Sequence, residues 1–245
     1  MLSSIKAITA AGFCAISVAG ASAAEPGPRW AGLYVGAHAG WATSGIDWTY
    51  LTPVGDLGGP PGSTFGTDRE GWLLGGQVGY QLQFNRLVAG VELSLSNGQF
   101  FGQETLIGFV SDPNEYLTTE IGSLFLATGR LGYLVDPNLL VYVKGGYATA
   151  SVSTFTYSPT GYAGNWARAS TGDRHHGWTI GAGLERALAG NITIGVEYNY
   201  IDLGSERHST YSLAWDAVRI PYDVRVKPDE IHAVSLRLNL QLGSF

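Results

Sequence analysis

Six charged residues, Glu92, Arg130, Lys144, Glu185, Glu197 and Arg237, each sit in a stretch where apolar residues alternate with small or polar ones. All six belong to the small, polar set, so in extended chain all six turn the same way. Three carboxylates against three cations make a balanced set. In a confined interior they must pair, because an isolated buried charge costs several kcal/mol. The chemistry open to them is a packed polar plug, or a gate whose ion pairs exchange partners. Glu185 and Glu197, on neighbouring stretches, also have the residue types of a glycosidase pair. His175 and His176, with Asp173 and Arg174 beside them, could ligate a transition metal, although adjacent histidines without fixed partners read first as solvated loop residues.

The elements that must position these side chains are clearest between Gly177 and Tyr200. Trp178, Ile180, Ala182 and Leu184 alternate with Thr179, Gly181, Gly183 and Glu185. After a break at Ala187–Asn191, Ile192, Ile194, Val196, Tyr198 and Tyr200 alternate with Thr193, Gly195, Glu197 and Asn199. A period of two over both arms predicts a β-hairpin. Its polar face is Gly, Thr and carboxylate, and its apolar face carries aromatics near the ends. Apolar outward, aromatic at the rims and polar inward describes the wall of a transmembrane β-barrel.

Composition agrees. Of 245 residues, 35 are Gly and only 14% are charged, against roughly 25% charged in soluble domains. Glycine inside strands suits a narrow barrel, where inward positions have little room. Lys6, the apolar run Ala7–Ala19 and the small residues Ala21-Ser22-Ala23 predict a secretory signal peptide over residues 1–23, cut after Ala23 or Ala24. Phe13 before Cys14 argues against a lipoprotein signal. Cys14 is the single cysteine, so the exported chain has no thiol for metal binding or nucleophilic attack. Losing Lys6 leaves 13 basic side chains against 20 acidic, a net charge of −7, which argues against nucleic-acid binding.

Eight alternating stretches follow within 24–245, read as one barrel domain. They begin near Trp30, Glu70, Leu87, Thr119, Leu139, Gly177, Ile192 and Asp229. Strand four places Ile121, Phe125, Ala127, Leu131 and Tyr133 outward, with Leu124 and Leu126 breaking the pattern on the inward side. Short turns fall at Asn85-Arg86, Asp136-Pro137-Asn138 and Gly190-Asn191. Long loops are expected near 43–69, 97–118, 153–175 and 202–228, carrying exposed aromatics such as Trp48 and Tyr50. Strict alternation of short and long connections predicts an all-β, eight-stranded antiparallel up-and-down barrel in the outer membrane, with both termini periplasmic. A lipocalin-like soluble barrel would put the apolar face inside instead. So narrow a barrel has no sugar cleft for Glu185 and Glu197. His232 and Ser235 have opposite parity and fall on opposite faces, which leaves no nucleophile–base pair.

Trp30-Ala-Gly-Leu-Tyr-Val-Gly36, Gly75-Gly-Gln-Val-Gly-Tyr80, Val88-Ala-Gly-Val-Glu92 and Gly129-Arg-Leu-Gly-Tyr133 resemble segments of the small Gram-negative outer-membrane β-barrel proteins. So do Gly177–Glu185, Glu197–Gly204 and Ile231–Asn239. The resemblance is to the alphaproteobacterial surface-immunogen or porin-family type, distantly similar to the OmpA transmembrane domain. It implies a structural, non-catalytic barrel that supports the envelope and presents surface loops, with no cofactor. It implies as partners the outer-membrane lipids, lipopolysaccharide and the barrel-assembly machinery. The alternatives are a narrow or gated channel, and a haem or metal receptor using His175 and His176. A lipid-modifying enzyme on this architecture would need a His, Ser and acid set that the sequence does not offer. The Gly243-Ser-Phe245 terminus departs from the family, since Leu242 is out of phase with Phe245 unless a bulge intervenes at Gly243.

Overall fold

The computed structural model describes residues 30–51, 61–100, 103–105, 116–158, 167–188, 191–213, 219–228 and 230–242. The expected signal peptide and the Gly243–Phe245 terminus lie outside them. Eight strands form a closed antiparallel barrel: β1 (Gly32–Tyr50), β2 (Thr64–Phe84), β3 (Leu87–Phe100), β5 (Tyr116–Asp136), β6 (Leu139–Ser158), β7 (Ala167–Ala187), β8 (Ile192–Asp202) and β11 (Ile231–Gln241). Closure is made by β11 against β1, from Tyr34↔Gln241 to Thr43↔His232. Three further strands belong to the long connections. They are β4 (Gln103–Thr105), which pairs with β5, and the hairpin of β9 (Glu206–Leu213) and β10 (Arg219–Pro228).

The period of two becomes a two-sided wall. Along β11 every second residue is buried, and the residues between them, Val234, Leu236, Leu238 and Leu240, face outward. Apolar side chains also cover the outside of β2, β3, β5, β6, β7 and β8. Trp41, Trp72, Tyr147, Trp178 and Tyr198 ring the wall towards the long connections, and Tyr80, Phe84 and Tyr133 stand nearer the short turns. At ~3.4 Å per residue and a tilt of ~40°, Trp72 and Tyr80 on β2 are about 20 Å apart in height, close to the ~25 Å apolar band of such walls. Asn85 takes φ 55° in the β2–β3 turn, a left-handed conformation that asparagine tolerates. In the β5–β6 turn Asp136 Oδ1 accepts the Asn138 amide at 2.7 Å.

The strands run further than the alternation indicates. β1 continues to Tyr50, β6 to Ser158, and β7 begins at Ala167. Trp48, expected on an exposed loop, is buried on β1 opposite Val226 of β10. Ile121, expected outward, is 1% exposed, because the β5–β6 register shifts between Ile121 and Leu124 and reverses the parity above the bulge. Above the last β7–β8 pair, Trp178↔Asp202, the sheet is no longer closed. Among the described residues, the upper part of β7 pairs only with β6, and β9 pairs only with β10.

Candidate functional site, a sealed ionic interior

The middle of the barrel is built by residues whose neighbours make room for them. Tyr34 lies directly across from Gly79, and Tyr142 directly across from Gly183. A Cβ at either glycine would overlap the facing tyrosine ring. The rings therefore lie flat over bare backbone and send their hydroxyls inward. Tyr34 Oη donates to Glu92 Oε2 at 2.7 Å, and Tyr142 Oη donates to Glu197 Oε2 at 2.7 Å.

The structure brings all six charged residues together. Lys144 Nζ bridges Glu92 Oε1 and Glu197 Oε1, at 2.9 Å each. Arg237 binds the same two carboxylates from β11. Arg130 Nη2 reaches Glu185 Oε1 at 3.2 Å, Arg130 Nη1 donates to Tyr34 Oη at 3.0 Å, and its guanidinium lies 4.0 Å from the Tyr142 ring centroid. Asn199 Nδ2 adds a 2.9 Å bond to Glu197 Oε1. None of the six is more than 5% exposed. Every carboxylate thus meets at least one cation, which is the condition for holding buried charge.

A second polar set lies beside the first. His38 is bonded to Gln77 Oε1 at 2.6 Å and to Ser96 Oγ at 2.8 Å, and Gln77 Nε2 donates to Asn239 Oδ1 at 2.7 Å. Between the two sets is a cavity of about 20 Å³, lined by His38, Gln77, Asn199, Ser235 and Arg237 on its polar side and by Leu73, Leu124 and Ile201 on its apolar side. That volume accommodates one or two waters.

Apolar layers close the interior above and below. Towards the short turns, Trp30, Val88, Leu134, Leu140 and Ala187 pack around Tyr142. The Trp30 indole donates to Pro137 O at 3.2 Å, and its amide donates to Gln83 Oε1 at 3.1 Å. Towards the long connections, Ala42, Leu73, Ile121, Leu124, Leu126 and Ile201 are among the residues of a larger apolar cluster. Leu124 and Leu126 carried a visible sign of this layer as breaks in the alternation. Trp30 gave none: it opens the first alternating stretch in the sequence, but the strand itself starts at Gly32.

The remaining candidates separate. His175 and His176 lie within β7 rather than on a loop, and consecutive strand residues face opposite ways. His175 is fully buried inside, while His176 faces out against Tyr147. They do not converge on one ion, and the described residues hold no group of three or more His, Cys, Asp or Glu able to bind a metal. Glu185 and Glu197 are both held by buried cations, and the cavity that Glu197 lines, about 20 Å³, is too small for a sugar ring. His232 is exposed and Ser235 is buried, on opposite faces of β11.

A closed eight-stranded wall, apolar outside and ionic within, defines an outer-membrane β-barrel. The chain belongs to the outer membrane protein beta-barrel domain family, whose model matches residues 11–231. It is similar to the 22 kDa outer membrane protein of Rhizobium leguminosarum bv. viciae, with 30% identity over 212 residues, 83% of this chain and 80% of the relative. The 31 kDa outer-membrane immunogenic protein of Brucella melitensis biotype 1 is 29% identical over 178 residues, 71% of this chain and 72% of the relative. Among solved structures, the outer membrane protein OprG from Pseudomonas aeruginosa aligns over 86% of this chain and 97% of its own, with 12% identity and a TM-score of 0.49.

Proposed function

We propose that this protein is a non-conducting, non-catalytic structural barrel of the outer membrane, which supports the envelope and presents its four long connections at the cell surface. Both termini then lie on the periplasmic side, with the barrel-assembly machinery and the membrane lipids as its general partners. The observation that carries this reading is the sealed interior. A neutral network of six buried charges fills the cross-section, and an apolar layer lies on either side of it. An aqueous path would have to cross both layers, and an eight-stranded barrel is just wide enough for its own side chains.

Single-channel recording of the refolded protein in a planar bilayer tests this, once heat-modifiable migration on a gel shows the folded barrel. No reproducible current steps are expected. Steady steps whose size shifts on Glu92→Gln or Lys144→Met would refute the plug and make the protein a gated pore.

A further inference from the structure

A path of side-chain hydrogen bonds crosses the interior over five strands. Ser96 of β3, His38 of β1, Gln77 of β2, Asn239 of β11 and Thr193 of β8 follow one another along it. Its middle step, from Gln77 to Asn239, passes over Gly36 and ties β2 to β11 across β1, at the pairing that closes the barrel. A Cβ at Gly36 would overlap both amides, and a Cβ at Gly75 would overlap the His38 ring. Bare backbone therefore makes the room that the path occupies.

The path has a direction. Gln77 Nε2 donates to Asn239 Oδ1 at 2.7 Å and also meets the Ala37 carbonyl at 3.4 Å, where an amide oxygen would find no donor. That leaves Gln77 Oε1 at 2.6 Å from His38 Nδ1. A carbonyl only accepts, so Nδ1 carries the ring proton, and Nε2 accepts from the Ser96 hydroxyl at 2.8 Å. Asn239 Nδ2 donates onward to Thr193 Oγ1 at 3.4 Å. A second proton would turn Nε2 from acceptor to donor, and the Ser96 hydroxyl would lose its partner. It would also set four cations against three carboxylates. The charged groups facing His38 are Arg237, its cross-strand neighbour on β11, with Glu92 of β3 and Glu197 of β8; the other residues around the shared cavity are uncharged. Both carboxylates already hold Arg237 and Lys144 of β6. The added charge would meet a cation opposite and no spare anion.

We propose that His38 is a proton-sensitive latch on the closure of the barrel. With one ring proton it completes the path that ties β11 to its neighbours, and a second proton breaks that path. The ring is half-buried and lines the cavity, so it is not walled off from protons. The unfolded chain takes up the same proton freely near pH ~6.5, the ordinary value for histidine. The latch therefore contributes its full stability above that pH and loses it as the pH falls below. This holds whether or not the barrel conducts, and whichever end faces the cell surface.

The test is urea unfolding of the full-length barrel in phospholipid vesicles at about pH 7.5 and about pH 5, on either side of the histidine range. The wild type is compared with His38→Gln, which keeps a donor and an acceptor but cannot take up the proton. Between the two pH values the folding equilibrium constant of the wild type is expected to fall by roughly tenfold more than that of the variant. His176→Gln/His232→Gln, on the outer wall, should keep the wild-type difference. Equal pH dependence in the wild type and His38→Gln overturns the proposal. If His38→Gln fails to fold, nitrogen NMR of the His38 ring in the wild type decides. The Nδ1–H tautomer is expected at about pH 7.5, with loss of its signature on acidification accompanying the loss of stability. An Nε2–H tautomer, or a ring already doubly protonated at the higher pH, overturns the latch.

Discussion

Arg237→Met removes the cation that binds Glu92 and Glu197 together from β11. Methionine keeps much of the side-chain length, so the change falls chiefly on charge. The network goes from three cations against three carboxylates to two against three, at a position 3% exposed to solvent. Breaking a buried pair on one side typically costs about 3–5 kcal/mol. Lys144 still bridges both carboxylates at 2.9 Å, which places the expected loss near the lower end, about 3 kcal/mol. Urea unfolding of the barrel in phospholipid vesicles, followed by tryptophan fluorescence and by heat-modifiable migration, measures it. Glu92→Gln/Arg237→Met restores neutrality, so it should be more stable than Arg237→Met by about 1–2 kcal/mol. A loss below about 1 kcal/mol in the single variant, the range of solvated pairs, would refute the reasoning. It would mean that water, not the partner charges, already solvates Glu92 and Glu197.

Two further outcomes follow from packing. Gly79→Val sets a branched side chain against the Tyr34 ring, and should lower the free energy of urea unfolding by about 1–3 kcal/mol, as overpacked cores do; wild-type stability would show that the ring has room to move. Trp30→Ala empties the lower apolar layer at a residue 1% exposed, at a cost of about 3–5 kcal/mol by the same titration. An unchanged midpoint would place Trp30 outside the barrel in solution.

Much of this architecture was legible because a strand has only two sides. Glu92 and Lys144 share a parity with Gly90 and Gly146, and Arg237 with Ser235, Asn239 and Gln241, and that parity alone turns all three inward. The balance of charge was countable before any distance was known. The ends of the strands were not legible, since β1, β6 and β7 leave the membrane without changing conformation and their upper halves lose the apolar outer face that marks a wall. Ile121 shows the sharper limit: a bulge costs one residue and reverses every assignment beyond it, with no composition change to announce it. The paired histidines fail for a related reason. Adjacency in sequence suggests a shared ligand only where the chain is not extended, and β7 is extended there.

The split between a closed hoop and an open collar has a consequence for how the molecule can change. Below Trp178↔Asp202 every strand has two neighbours, so an inserted residue must be accommodated around the whole circumference. Above that level, among the described residues, the upper part of β7 and the outer side of β9 run close together without strand pairing. A lengthened strand or slipped hairpin there breaks no backbone ladder between those two edges, so the register of the ring below is not shifted. Sequence drift in the collar is therefore uncoupled from closure of the hoop, and descendants of this chain can remodel the outermost rim while the membrane-embedded ring keeps its register.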